Sequence, residues 1–397
     1  MRVTIASRIY APESAAAAFR LDALAQALAD GGHAVKVLTA EAPPALRGAA
    51  RTSDARRRSV TVRRAPVLRG ADGYVRGYFQ YLSFDIPLFF RLLTGRRPAV
   101  IVSEPPPTTG LVTRIAAAIR RVPYVYYAAD IWSDAATAAG TPRLVTAALR
   151  CVERLALGGA TRVLAVSEGV AERVRKVAPD ASPIVMRNGV DTSVFTPQGP
   201  VAPLVPTAVY AGTMSEWQGA DVFVRAWASV RENVPDAQLV FLGQGTARAE
   251  LQELAKNLGV SDSVSFSDAV PPEVAARWLR SARVGLASIK PEIGYDFAIP
   301  TKLFASAACG TPVLFAGEGD AASIVRRESL GTVAAFDAAD VAEKLSAALA
   351  DVPDAESRRR LGERTDSIAS LHSAAQATAA VVASSGRIDA RYPQNGF

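Results

Sequence analysis

Short apolar runs alternate with stretches of helical period along almost the whole 397-residue chain. Val3–Ala6 is an apolar strand signal, Phe19–Asp30 repeats its apolar positions at helical spacing, Gly31-Gly32 ends that helix, and Val35–Leu38 is the next strand. The same pattern places strands at Ala99–Val102, Tyr124–Tyr127, Val163–Val166 and Ile184–Met186. Thr196–Pro206 is rich in proline and glycine and reads as a linker. Strands resume at Ala208–Tyr210, Leu239–Leu242, Val264–Phe266, Val284–Ala287, Val313–Phe315 and Thr332–Ala335. Such alternation predicts parallel sheets covered by helices on both faces. The expected architecture is α/β, with two doubly wound Rossmann-like domains at residues 1–195 and 196–369. Ligands of these sheets bind at the strand C-terminal ends, so a central cleft is the expected site. The tail, Glu356 to about Ser384, is Ala-rich and reads as one helix.

Composition narrows the class. A 49% hydrophobic fraction fills two cores, and 397 residues exceed one ordinary core. No run of about 18 apolar residues appears, so no membrane-spanning helix is expected. Met1-Arg2-Val3-Thr4-Ile5-Ala6 enters a strand directly and does not read as a signal peptide. Cys151 and Cys309 make neither a disulfide framework nor a zinc site. A cytoplasmic protein is expected.

The net charge of +7 is concentrated. Eight arginines fall between Arg47 and Arg69, Arg58 among them, and Tyr74, Tyr78, Phe79, Tyr81, Phe84, Phe89 and Phe90 follow. This mixture suits the anionic inner leaflet of a membrane, where each Arg near the surface contributes about 1 kcal/mol. It equally suits a solvated loop followed by a core helix. No RNA-binding fingerprint or zinc finger accompanies the charge, so nucleic acid is not an expected partner.

Candidate chemistry gathers at strand ends. Val284–Phe315 reads strand, loop, a helix opened by Pro300-Thr301-Lys302, a Cys309-Gly310-Thr311-Pro312 break, and strand. Unpaired amides and the dipole make a helix start with a lysine an anion site. Gly212 ends the strand Ala208–Ala211 ahead of Thr213, where a phosphate could approach the backbone or the chain could simply turn. Gly243-Gln244-Gly245 is a similar case. Asp130, after the strand Tyr124–Tyr127 and before Ile131-Trp132, could bind a sugar hydroxyl, accept a proton or cap the next helix. Glu13 and Arg20 could face an acceptor, or be a surface acid and half of an interhelical ion pair. His33 reads as a turn residue and His372 as an exposed one. Gly317-Glu318-Gly319-Asp320-Ala321-Ala322 has the form G-x-G-x-x-A, but its acids and its late strand argue against a dinucleotide. No D-x-D, H-E-x-x-H, G-x-S-x-G or P-loop occurs, so a leaving diphosphate would rely on backbone dipoles and cations such as Lys302 and Lys290.

Several segments in order resemble the retaining family 4 glycosyltransferases of GT-B fold, in the subgroup that builds bacterial surface glycans. They are Tyr10-Ala11-Pro12-Glu13 leading to Arg20, Ala27–Val35, Asn188-Gly189-Val190-Asp191, Phe241–Gly245 and Pro300–Val313. The resemblance implies a metal-independent transferase at the cytoplasmic membrane face, with a nucleotide-sugar donor (a UDP-sugar first), a glycan or lipid-linked acceptor and no cofactor. It places Gly212, Thr213, Gly243, Lys290, Pro300, Thr301, Lys302 and Leu303 around the donor. Asp130 and Lys302 become the catalytic candidates, and Glu13, Arg20 and Trp132 fall on the acceptor side. The tail, about 370–397, would cross back onto the first domain. Two glutamates usual in the family, one of which holds the nucleotide ribose, are Ala305 and Phe297 here, with Glu292 out of register. Met214–Gln218 stand where Arg and Lys are usual, Ala129 where a His is, and Ser14-Ala15-Ala16 where glycines are. These losses motivate an alternative, a GT-B-like binding or scaffold subunit without catalysis. A sugar-nucleotide epimerase is a weaker third reading.

Overall fold

The computed structural model describes residues 1–387 apart from positions 14, 58, 71–74, 76, 139, 203 and 204. Ser14, Arg58, Tyr74 and the tail beyond 387 lie outside the described residues, as do the side chains of Arg56 and Tyr78. The chain divides into two compact units, Met1–Asn188 joined by the segment from His372 onward, and Gly189–Leu371.

The first unit is built on seven parallel strands, β1 (Arg2–Ala6), β2 (Ala34–Ala40), β3 (Val60–Ala65), β4 (Val100–Ser103), β5 (Tyr124–Ala128), β6 (Arg162–Ala165) and β7 (Pro183–Val185). They lie in the order β3-β2-β1-β4-β5-β6-β7. The second unit has β8 (Thr207–Ala211), β9 (Gln238–Leu242), β10 (Val264–Ser267), β11 (Val284–Ser288), β12 (Val313–Ala316) and β13 (Gly331–Ala334), ordered β10-β9-β8-β11-β12-β13. In each sheet the winding reverses beside its first strand, between β1 and β4 and between β8 and β11. Loops leaving those strand ends splay apart and leave room for a ligand.

Burial explains the strand pattern. Every residue of β4, β5, β11 and β12 is buried, as continuous apolar runs between two helical layers require. In the first unit Ile5, Leu21, Leu24, Val102 and Tyr127 share a core that Ala379 and Val382 of the Leu371–Ser385 helix complete. In the second, Tyr210, Phe223, Trp227 and Phe241 fill one side of the sheet, and Leu303, Phe304, Phe315 and Val325 the other.

Two expectations need correction. The arginine-rich stretch is no solvated loop: it forms a helix, Arg47–Arg56, and the edge strand β3. Arg57 pairs with Asp22 at 2.6 Å and Arg64 with Asp54 at 2.8 Å, while Arg47, Arg51 and Arg63 are exposed. The tail is not one helix but two, Ala355–Ala369 and Leu371–Ser385. Ser370 breaks them by pairing with Val190, whose amide donates to the Ala369 carbonyl and whose carbonyl accepts from Leu371 N. No helix among the described residues is long and apolar enough to cross a membrane.

Candidate functional site

The second unit gathers its candidates where β8 ends. Gly212 has φ +140°, a conformation that L side chains rarely adopt, and a Cβ there would stand 3.1 Å from Lys302 Cε. The chain then turns through Thr213 and Met214 into a short turn of helix, Glu216–Gln218, closed by a Ser215–Gln218 capping box. Gln218 Oε1 also accepts from Tyr210 Oη at 2.9 Å and from Lys302 Nζ at 3.3 Å. Lys302 Nζ donates to the Thr213 carbonyl at 3.0 Å and lies 3.5 Å from the centre of the Tyr210 ring.

Lys302 is thus held by neutral dipoles and a π face at 9% exposure, with no carboxylate in salt-bridge reach among the described residues. Burial drives its amine well below the usual lysine range. Pro300 and Thr301 open its helix, Thr301–Ala308, with no side-chain cap. Leu303, expected at the donor, has nothing to offer one: its side chain is sealed in the core and its amide donates to the Pro300 carbonyl.

Gly243 serves backbone approach. It has φ +143°, and a Cβ would collide with the Gly212 carbonyl. Met214 N donates to Gln244 O and Ala247 N to Met214 O, so the two loops brace each other. Lys290 borders the same turn, its amide donating to the Trp217 carbonyl at 3.0 Å. It lines a cavity of about 440 Å³ with Arg225, Glu216, Asp221, Glu250 and Glu253, and Lys302 is not in that lining.

The positions of the two missing glutamates are apolar in space as well as in sequence. Ala305 is buried in one cluster with Phe304 and Ile289, and Phe297 is separately buried. Tyr295 stacks on Trp217 at 4.8 Å and on Phe297 at 6.2 Å. Glu292 is exposed on the same loop with φ +62°, and does not fill the place of either.

The first unit holds a second polar group at the ends of β1, β4 and β5. Arg20 is buried and ion-paired to Glu104, just after β4, and donates to Asn188 Oδ1 at 2.6 Å. Its guanidinium lies 4.5 Å from the centre of the Tyr127 ring. The expected interhelical pair is therefore replaced by one between a helix and a strand end. Arg20→Ala, which strands Glu104, should cost about 3–5 kcal/mol in urea unfolding. A loss below about 1 kcal/mol would mean that water reaches Glu104 and the pair is not sealed.

Asp130 does not cap the next helix, because Glu153 does. The amides of Trp132 and Ser133 donate to Glu153 at 2.8 and 3.3 Å, and Ser133 Oγ donates at 2.7 Å. Asp130 is half-buried with a sealed, unpartnered Oδ1 beside the Trp132 ring. Burial first, and the Glu153 charge second, push its carboxyl up to about 6. Trp132 meets Tyr81 edge-on at 5.4 Å, and Arg8 covers Tyr81 at 5.3 Å. Arg8 Nε and Glu13 Oε1 are buried without partners too. Burial raises the Glu13 carboxyl, opposed by Arg69 and Arg8. Unmet buried donors and acceptors each cost free energy, and a polyhydroxylated molecule would satisfy them.

Sequence reasoning missed Arg8, Tyr81, Glu104, Glu153, Tyr210 and Gln218. The one local signal was Ser215-x-x-Gln218, a capping box that places Gln218 next to Lys302. His33 sits at a turn against the Met1 amine, and His372 is exposed. Gly317 and Gly319 let the backbone at Ile289 and Asp296 pass close by, which accounts for the G-x-G form without a dinucleotide.

Two known families together match most of the chain. Residues 16–189 match the "Glycosyl transferase 4-like domain" family and residues 205–351 the "Glycosyl transferases group 1" family. The chain is 31% identical over 201 residues to a D-inositol 3-phosphate glycosyltransferase of Nocardia farcinica, which is 49% of this chain and 43% of that protein. It is 28% identical over 175 residues to a GDP-mannose-dependent alpha-(1-6)-phosphatidylinositol monomannoside mannosyltransferase of Mycolicibacterium smegmatis, 41% of this chain and 45% of that one. The chain spans somewhat under half the length of these curated relatives. It also superposes on the crystal structure of Anabaena Alr3699/HepE in complex with UDP and glucose, with a TM-score of 0.72 over 97% of this chain and 100% of that one, at 17% identity.

Proposed function

Because this chain belongs to the family 4 glycosyltransferases of GT-B fold, we propose that it moves a hexose-type sugar from a nucleotide-sugar to a glycan or lipid-linked acceptor. The transfer retains configuration, needs neither metal nor cofactor, and serves surface-glycan synthesis at the cytoplasmic face of a membrane. The second unit takes the donor, a UDP-sugar first, and the first unit takes the acceptor.

One observation carries this reading: Lys302 is a buried amine with no anionic partner among the described residues, beside the uncapped start of the Thr301–Ala308 helix. A diphosphate supplies the missing charge, and its negative charge grows as the glycosidic bond breaks. The preorganised amine and helix start therefore stabilise the transition state more than the ground state. The departing phosphate helps to take the acceptor proton, and Asp130 with Trp132, Glu13 and Arg8 binds and orients acceptor hydroxyls.

The donor side makes a specific claim about the nucleotide. With the buried, apolar Phe297 and Ala305 at those positions, no carboxylate from them reads the ribose. A site without such a partner gains little from a hydroxyl. Thermal shift with UDP-, GDP-, dTDP- and CMP-sugars should single out one nucleotide, and its sugar should be hydrolysed slowly. The 2′-deoxy form of that nucleotide should bind within about threefold of the ribo form. A tenfold or greater preference for ribose would mean that another carboxylate, Glu292 foremost, takes over. No shift with any donor would overturn the reading.

A further inference from the structure

Three helices cover one face of the first unit's sheet: Tyr78–Thr94, Pro107–Arg120 and Arg143–Gly158, with the second packed between the other two. Their outer surface is unusual. Phe79, Leu82, Ile86 and Phe90 recur at helical spacing along the first helix, and Phe79 and Phe90 are 79% and 58% exposed. Ile119 and Leu144 extend the row onto the neighbouring helices, also exposed. Single exposed apolar residues are ordinary, but a row across three packed helices marks an interaction surface.

Charge selects the occupant. The three helices contain two acids, Asp85 and Glu153, and both point inward, at 1% and 2% exposure. Asp85 accepts from Thr109 and Glu153 holds the start of the Trp132–Ala138 helix. Every charge these helices turn outward is an arginine, with Arg143 and Arg154 exposed. Asp134, on the Trp132–Ala138 helix, is the acid at the edge and is already paired with Arg150 and Arg173.

We propose that this face docks on an anionic lipid surface, with the Phe79–Phe90 ridge entering the headgroup boundary and the arginines meeting lipid phosphates. Apolar side chains enter that boundary by about 5–10 Å, and basic residues beside them add attraction. A second copy of the chain fits less well, because a two-fold contact would set arginines against arginines. The assignment deepens the membrane-face reading above, and moves it from the Arg47–Arg69 stretch to a different surface.

Flotation of the full chain with phosphatidylcholine vesicles, with and without about 30% phosphatidylglycerol, tests it. The protein should float with anionic vesicles, barely with neutral ones, and less as salt rises. Phe79→Ser/Phe90→Ser and Arg143→Ala/Arg154→Ala should each weaken anionic binding by about tenfold or more, with unchanged melting temperature and unchanged donor-induced shift. Equal flotation with both vesicles, or binding that survives the phenylalanine changes, would overturn the proposal. So would a dimer in sedimentation equilibrium that the same changes dissociate, which would give the face to a second copy. Vesicle binding without any donor shift would leave this proposal standing and remove the transfer reading alone.

Discussion

Lys302→Met should lower turnover about 10²–10³-fold, the usual loss when one preorganised electrostatic group is removed. Methionine keeps the length and removes the charge, so the Tyr210 ring and the Gln218 amide keep their packing. The variant should also lose most of the stabilisation that donor gives to wild type. A further signature separates a site role from a structural one. The folded amine sits well below the usual lysine range because it is buried, so the folded state binds fewer protons than the unfolded one. Stability without ligand therefore rises as pH climbs from that lowered pKa toward 10.5. A diphosphate beside the amine favours its charged form, so donor binding should draw a proton from solvent. Titration calorimetry in buffers of different ionisation enthalpy should show uptake in wild type and none in Lys302→Met. Undiminished turnover in the variant would remove Lys302 from the mechanism.

Asp130→Asn should cost about 10² or more in kcat/KM while making the protein more stable at neutral pH. The sign follows from the raised carboxyl. Folded Asp130 holds its proton up to about 6, above the 3.8 of the unfolded chain. Between those values the folded state binds more protons, so wild type loses stability as pH rises through that window. Above pH 6 the ionised, half-buried carboxylate remains a cost of about 1–3 kcal/mol. Asparagine avoids it. Urea midpoints for the two proteins should coincide below pH 4 and diverge in favour of Asp130→Asn by pH 7, while the acid limb near pH 6 in the rate profile disappears. A variant that is both less stable and fully active would make Asp130 a structural residue.

Strand ends were legible in the sequence, and what faces across them was not. The fully buried strands announce themselves as apolar runs bounded by turns, so β4, β5, β11 and β12 fall where the pattern puts them. β3 did not: VTVRRA is an edge strand with one face in water, hidden among arginines. The Thr301 helix start and its lysine are local features. The partners that give them meaning are not, since Gln218 is 84 residues from Lys302, and Glu104 is 84 from Arg20. Glu153 shows the same limit. On its own helix it is one acid among arginines, and only the fold makes it the cap that leaves Asp130 unclaimed.

The break at Ser370 sets an order of assembly on the ribosome. Gly189–Leu371 is continuous, so the second unit has all its residues once Leu371 has emerged. The first unit begins earlier and finishes later, because Ala379 and Val382, which complete the core around Leu21 and Leu24, arrive after the whole of the other unit. During synthesis its sheet waits with that apolar face open, a period in which chaperones, or aggregation, would find it. The half of the protein made first is sealed last.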